Sequence, residues 1–290
     1  MLVIRDEQMQ AFSFNARNRF EADTVRHISG FAPGRFAVLG EKTIGQIVNL
    51  GIALAEKHGF TNRGPARFYV ELMFMFGSDF DTDPQYPWAA EALSGQESGD
   101  QVERADRLYQ DMLRYREQVV GKNLEHEREA LNRLVGLPPV AWALSGADTS
   151  GIASLLRKIY PEKCEFLGDA PLEYLVQRGV SLAAAYPGSS KAASIFTELM
   201  FFFGHGCLTD SQFPWIAAIL ERGATGDEKE KMERLYSKNR ILLQNALIGV
   251  EEKPTLPLSG CEIPVNPAGV EDACTPVAHT TVTGSGRAPK

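Results

Sequence analysis

The chain has 290 residues, of which 44% are hydrophobic and 23% charged, which is ordinary for a globular protein with a buried core. Its formal net charge is -7, and this acidic balance argues against non-specific nucleic-acid binding. Charged residues at positions 5–7 break the apolar run that a signal peptide needs, and no apolar run approaches the roughly 18 residues that cross a bilayer. Four irregularly spaced cysteines favour reduced thiols, so we expect a soluble cytoplasmic protein with no membrane insertion and no nucleic-acid partner.

The first half of the chain predicts a series of helices. Residues 5–28 form an N-terminal helix in this interpretation. The segment 41–59 places Ile44, Ile47 and Val48 on a broad apolar face, and its last residue, Gly59, suits a C-terminal stop.

The next segment contains the heptapeptide ELMFMFG at residues 71–77. Its apolar residues recur with a helical period and extend nearly all round, so we expect this helix to lie centrally. Gly77 suits a left-handed residue at its C-terminal end.

The helical pattern continues after this heptapeptide. A short helix is predicted to start at Pro87-Trp88, a long amphipathic helix covers about 100–119, and a connecting helix covers 123–135. The proline and glycine density of residues 136–151 is typical of a linker.

A second heptapeptide, ELMFFFG, occupies residues 198–204. Further matches before it recur at a spacing of 128 and those after it at a spacing of 127, in the same order, which indicates an internal duplication covering roughly 31–121 and 159–249. The fold class predicted is all-α, with two tandem pseudo-symmetric helical units. The predicted domains are unit one with its N-terminal helix (1–121), a connecting helix and linker (122–158), unit two (159–249) and a C-terminal tail (250–290).

The tail from residue 250 is rich in proline and has no apolar periodicity. Ordering a residue costs roughly 1–2 kcal/mol, which this segment cannot offset by burial. We therefore expect the tail to be disordered when the chain is free.

The loop 78–88, SDFDTDPQYPW, has the alternating aspartates of a calcium loop at its start. Pro84 and Ala90 stand where such a loop needs glycine and a bidentate glutamate. We therefore predict no metal site. The structural interpretation is that Thr82 and Asp83, with their counterparts Thr209 and Asp210, cap backbone N–H groups. Trp88 and Trp215 would then anchor the short helices.

The alternative interpretation of these two loops is surface recognition. It assigns partner binding to five residues, Asp81, Asp83, Trp88, Asp210 and Trp215.

Catalytic patterns are weak throughout the sequence. His205 and Cys207 lie too close along one loop for a nucleophile and its base, and Glu71 and Glu198 are isolated carboxylates within apolar helices. The segment 40–46 lacks the lysine of a phosphate loop, and the tail cysteines lack zinc-finger spacing. We predict no catalytic residues and no cofactor.

The start MLVIRDEQM and the block LMFMFGSDFDTDPQYPWA resemble a group of small helical bacterial proteins associated with type VI secretion effector clusters. The resemblance covers about residues 1–120, and the unit is present twice here. Unit two departs from it where FDTDP becomes CLTDS. The resemblance implies an accessory role beside a secreted toxin and supplies no catalytic residues.

We therefore expect a non-enzymatic protein–protein interaction module, a chaperone or adaptor for a type VI secreted effector. Its partner would be that effector or toxin, and the acidic surface would suit a basic segment of it. Two alternatives are an immunity protein that inhibits a toxin and an enzyme that uses an unrecognised carboxylate site.

Overall fold

The computed structural model of the chain describes residues 5–94, 99–138, 149–186, 191–221 and 226–252. Within these ranges every regular element is a helix and none is a strand, which confirms the all-α prediction. The helices of the first half are α1 (Asp6–Phe31), α2 (Pro33–Lys57), α3 (Arg63–Phe76), α4 (Pro87–Leu93), α5 (Gln101–Tyr115), a π-helix (Arg116–Val120), a 3-10 turn (Lys122–Leu124) and α6 (Glu125–Gly136). Those of the second half are α7 (Thr149–Ile159), α8 (Pro161–Leu167), α9 (Asp169–Ala183), α10 (Ala192–Phe203), α11 (Pro214–Leu220) and α12 (Glu228–Glu252).

The order of the helices repeats between the two halves. Helix α2 is kinked at Gly40, whose φ is 74°, and the corresponding break between α8 and α9 falls at Gly168, whose φ is 72°. Helices α3, α4 and α5 then correspond to α10, α11 and α12. The repeated helix order agrees with the two predicted units, while their origin by duplication stays a prediction from the sequence.

Both heptapeptide helices end at their glycine, as predicted, but the glycine conformation differs from the prediction. Gly77 has φ 102° and ψ 156°, and Gly204 has φ 93° and ψ 153°. These angles lie outside the left-handed helical region and in a region that is essentially restricted to glycine. The chain therefore leaves each helix in an extended direction instead of closing a turn.

The last residues of the linker predicted over 136–151 are helical. Residues 139–148 lie outside the described ranges, and the chain is helical again from Thr149 to Ile159. Ile152, Leu156 and Ile159 are buried on one face of this helix, and their spacing is that of an amphipathic helix. The prolines and glycines just before this helix hide its apolar period in the sequence.

The two heptapeptide helices lie in one continuous hydrophobic core that contains residues of both halves. In α10, every residue from Ala192 to Phe201 is buried. Helix α10 packs against α9, α12 and α7. The core thus surrounds the two heptapeptide helices, as their nearly all-round apolar surface predicts.

None of the helices in the described ranges has a stretch that is long and apolar enough to cross a membrane. The tail predicted to be disordered lies outside the described ranges from residue 253 onward, while Glu251 and Glu252 belong to the last turn of α12.

Candidate functional site

The loops that follow the two heptapeptide helices exchange carboxylate hydrogen bonds. The backbone N–H of Ser78 donates to Oδ2 of Asp210 at 2.8 Å, and the Ser78 hydroxyl donates to Oδ1 at 2.8 Å. In the opposite direction, the backbone N–H of His205 donates to Oδ2 of Asp83 at 2.7 Å. Ser78 and His205 are 127 positions apart, as are Asp83 and Asp210. Each loop therefore caps the other in a reciprocal arrangement, which we call the clasp.

Two glutamines extend the clasp to the helix ends. Nε2 of Gln85 donates to the carbonyl oxygen of Met200 at 2.9 Å, and Nε2 of Gln212 donates to the carbonyl oxygen of Met73 at 2.8 Å. These carbonyls belong to the last turns of α10 and α3, and each also accepts from the backbone N–H of the glycine that ends its helix, at 3.0 Å. The exchange satisfies polar groups that burial would otherwise leave costly.

The aspartates and glutamines of the clasp are buried. Asp83 is 1% exposed, Asp210 8%, and the two glutamines 0% and 5%. Capping by the two aspartates was predicted, but the sequence did not reveal that each also caps the opposite unit. The threonines contribute differently from the prediction, because the Thr82 hydroxyl donates to the carbonyl oxygen of Asp79 at 3.2 Å instead of accepting from an N–H group.

Asp81 is also engaged within the fold. Its Oδ2 lies 2.9 Å from Nε2 of His58, whose Nδ1 lies 3.1 Å from the carbonyl oxygen of Leu93. The Asp81 side chain is 10% exposed. Burial raises the pKa of Asp81, but the neighbouring His58 leads the opposing effects and the pKa is lowered overall. Asp81 thus fixes the loop to α2.

The two tryptophans differ in their surroundings. Trp88 is 8% exposed and lies within 6 Å, ring centroid to ring centroid, of Phe76, Tyr86 and Tyr115. Trp215 is only partly buried. The predicted anchoring role therefore holds for Trp88, whereas Trp215 also reaches the surface.

Trp215 lines an open groove between α11 and α12 with a volume of about 590 Å³. Its apolar wall is formed by Trp215, Ala218, Ile219 and Ile241, and Ile241 is 52% exposed. Four of the α12 residues that line the groove lie on one face of the helix, because they are spaced at i, i+3, i+4 and i+7. These four residues are Arg234, Ser237, Lys238 and Ile241.

The residues 127 positions earlier make the corresponding face of unit one polar. Arg114 stands in place of Ile241, and Ala92 in place of Ile219. Glu91 and Asp111 occupy the positions of Ala218 and Lys238 in the same way. The apolar groove is therefore a property of unit two alone, and comparing the two units position by position is the sequence signal that would have found it.

The two helix glutamates each pair with a base. Glu71 Oε1 lies 2.7 Å from Nε2 of His27. Glu198 is 1% exposed; its carboxylate accepts from Nη2 of Arg240 and from Nδ2 of Asn239, each at 2.6 Å. Of the three concavities found in the described part of the chain, none is lined by Glu71 or Glu198.

His205 and Cys207 do not form a nucleophile pair. Nε2 of the His205 ring lies 3.4 Å from the Thr82 hydroxyl. Cys207 is 1% exposed, and burial raises the pKa of its thiol well above the usual value, so the thiolate is disfavoured. In the described part of the chain, no group of three or more histidines, cysteines or acids is placed to hold a metal ion.

Comparison of the chain with protein-family models, with curated proteins and with solved structures gave no match.

Proposed function

We propose that the chain is a non-enzymatic protein-binding module whose groove between α11 and α12 receives a helix of another protein. The observation that carries this proposal is the exposed apolar wall of the groove. Ile241 is 52% exposed beside the partly buried Trp215. A groove with an exposed apolar wall is the kind of surface that receives the apolar face of an amphipathic helix, whose own anchor residues lie at i, i+3, i+4 and i+7.

The charges around the groove define the chemistry of the partner helix. Arg234, Lys238 and Glu233 flank the apolar wall, so the groove carries one more positive than negative formal charge. A partner helix with an apolar face and a flanking acidic residue would complement it. This differs from the basic segment that the net charge of the whole chain favours.

The resemblance to proteins of type VI effector clusters supports a more specific role. We propose that the chain acts in the cytoplasm of the producing cell as a chaperone or adaptor for a secreted effector. An immunity protein would use the same kind of groove to cover a toxin, so the two roles differ in the consequence of losing the gene.

Deletion of the gene in the producing strain tests the adaptor role. The proposal predicts that export of the effector is lost while sister cells grow normally, and that a Trp215→Ala copy fails to restore export whereas a copy with Arg114→Ala restores it. Normal export after deletion contradicts the adaptor role. Poisoning of sister cells after deletion supports the immunity role instead.

A further inference from the structure

A second concavity lies apart from the groove, where the end of α3, the π-helix, α8 and the end of α10 meet. It is a partly enclosed cavity with a volume of about 70 Å³. A buried water needs roughly 10–15 Å³ of such space, so the cavity has room for a group of a few heavy atoms. Its aromatic walls include Phe76, Tyr115, Phe202 and Phe203.

The charged residues of the cavity wall are mostly basic. They are Arg35, Arg116, Lys163 and Glu127, so the wall carries two more positive than negative formal charges. The whole chain, by contrast, has a formal net charge of -7. A local positive excess in an acidic protein attracts anions to one position.

Lys163 lies at the inner end of this wall and is 5% exposed. Its Nζ donates to the carbonyl oxygen of Phe201 and lies 4.5 Å from the centroid of the Phe201 ring. Burial lowers the pKa of Lys163 to about 8, against the opposing charges of Asp83 and Glu127. An ammonium has three N–H donors, and the carbonyl oxygen of Phe201 accepts from one of them.

Arg116 is supplied by the π-helix, an element that often marks a functional position. Arg116 lines the cavity and is half-buried. Arg35 is different, because its Nη1 donates to Gln212 and its guanidinium lies 5.1 Å above the Phe213 ring. Arg116 and Lys163 are therefore the two cations that a small ligand would contact.

We propose that this cavity binds a small oxyanion, the carboxylate or phosphate group of a small molecule, between Arg116 and Lys163. Guanidinium and ammonium groups form charge-assisted hydrogen bonds with such anions, and these bonds are about twice as strong as neutral ones. The aromatic walls exclude water and strengthen the attraction. The Glu127 carboxylate on the same wall disfavours ligands with more than one or two negative charges.

Isothermal titration calorimetry of the full chain at pH 7 tests this inference, with sodium phosphate and sodium acetate as separate probes. Phosphate acts on proteins in general by exclusion from their surface, and any added salt screens charges. Sodium chloride therefore keeps the ionic strength equal in every titration. We expect saturable one-site binding of at least one probe. Binding of phosphate alone or of acetate alone identifies the anion class, and either result supports the site.

Variants separate a specific site from general ion effects. Arg116→Ala is expected to weaken binding about tenfold, the loss of one charge-assisted hydrogen bond, and Lys163→Met to weaken it by at least as much. Arg157→Ala is the matched control, since Arg157 pairs on the surface with Asp169 at 2.7 Å. Absence of saturable binding for both probes overturns the proposal. An equal affinity in Arg116→Ala and Arg157→Ala also overturns it, even if Lys163→Met fails to fold.

Discussion

Gly77 and Gly204 are in direct backbone contact across the two halves of the chain. A Cβ atom on Gly77 would lie 2.9 Å from the carbonyl oxygen of Phe203, and one on Gly204 would lie 2.7 Å from the carbonyl oxygen of Phe76. Both glycines also have positive φ angles. Each heptapeptide therefore ends at a residue that must lack a side chain for two independent reasons, conformation and close approach.

The contact predicts a large loss of stability for Gly204→Ala. The Cβ would meet a backbone oxygen, which cannot rotate away, so we expect the free energy of unfolding to fall by about 2–4 kcal/mol. Gly168→Ala is the control, because Gly168 has φ 72° and no atom within 4 Å of its Cβ position; it should cost about 1–2 kcal/mol, from its backbone conformation alone. Chemical denaturation of both variants measures the difference. Equal losses would show that the close approach contributes nothing.

The clasp predicts that Asp210→Ala is more costly than loss of an ordinary helix cap. Asp210 accepts hydrogen bonds from Ser78 and from the backbone of Gln212 while it is 8% exposed. Leaving these buried donors unsatisfied should cost about 2–4 kcal/mol. Asp100 accepts from two backbone N–H groups at an exposed N-cap, so Asp100→Ala should cost about 1 kcal/mol. Thermal unfolding of the pair checks the order, and a similar loss in both variants would contradict the role of the clasp.

The helices could be predicted from sequence because their signals are local. The apolar period of ELMFMFG and the glycine that follows it depend on neighbouring residues only. The clasp could not be predicted, because the exchange between Asp83 and the N–H of His205 at 2.7 Å depends on how the two halves face each other. Sequence periodicity carries no information on that orientation.

The predicted binding residues show the same limit. The alternative interpretation assigns surface recognition to the loop aspartates Asp81 and Asp83. In the structure their carboxylates form hydrogen bonds that hold the loop in place. Of the five predicted residues, Trp215 alone lines the described apolar groove. Its neighbour Ile241 could not be found from periodicity, because a single isoleucine on a charged helix forms no apolar pattern. It stands out only when unit one is aligned with unit two and Arg114 occupies the matching position.

The ion pair inside unit two predicts a strong asymmetry between single and double substitutions. Arg240 and Glu198 have side chains that are 11% and 2% exposed. Arg240→Met leaves a buried carboxylate without its cation and should cost about 3–5 kcal/mol. The double variant Glu198→Met, Arg240→Met removes both charges and should recover much of that loss. A denaturation cycle measures the coupling, and additive losses would contradict it.

The pair of His58 and Asp81 predicts a pH dependence of stability. The hydrogen bond to Asp81 is the largest of the effects on the pKa of His58, which is raised overall, and the pKa of Asp81 is lowered overall. The contribution of His58 is fully present below about pH 6.5 and is lost as the pH rises through its raised folded pKa. The contribution of Asp81 is present above about pH 4 and is lost as the pH falls through its lowered folded pKa.

We therefore expect Asp81→Asn to reduce the free energy of unfolding more at pH 6 than at pH 8, by about 1 kcal/mol. Asp23→Asn is the control, because Asp23 pairs with Arg26 and Arg63, whose charge is constant over this range. Urea denaturation at the two pH values gives both differences. A loss for Asp81→Asn that does not change with pH would exclude the contribution of His58.

The groove is tested most directly by photo-crosslinking in the producing cell, with a photoreactive amino acid placed at Ile241 or at its unit-one counterpart Arg114. The account predicts that position 241 forms a crosslink to one protein, that Trp215→Ala abolishes it, and that the crosslinked peptide is an amphipathic helix with acidic residues beside its apolar face. Position 114 should form no such crosslink. Absence of a crosslink at 241, or equal crosslinking at 241 and 114, would contradict protein binding by this groove.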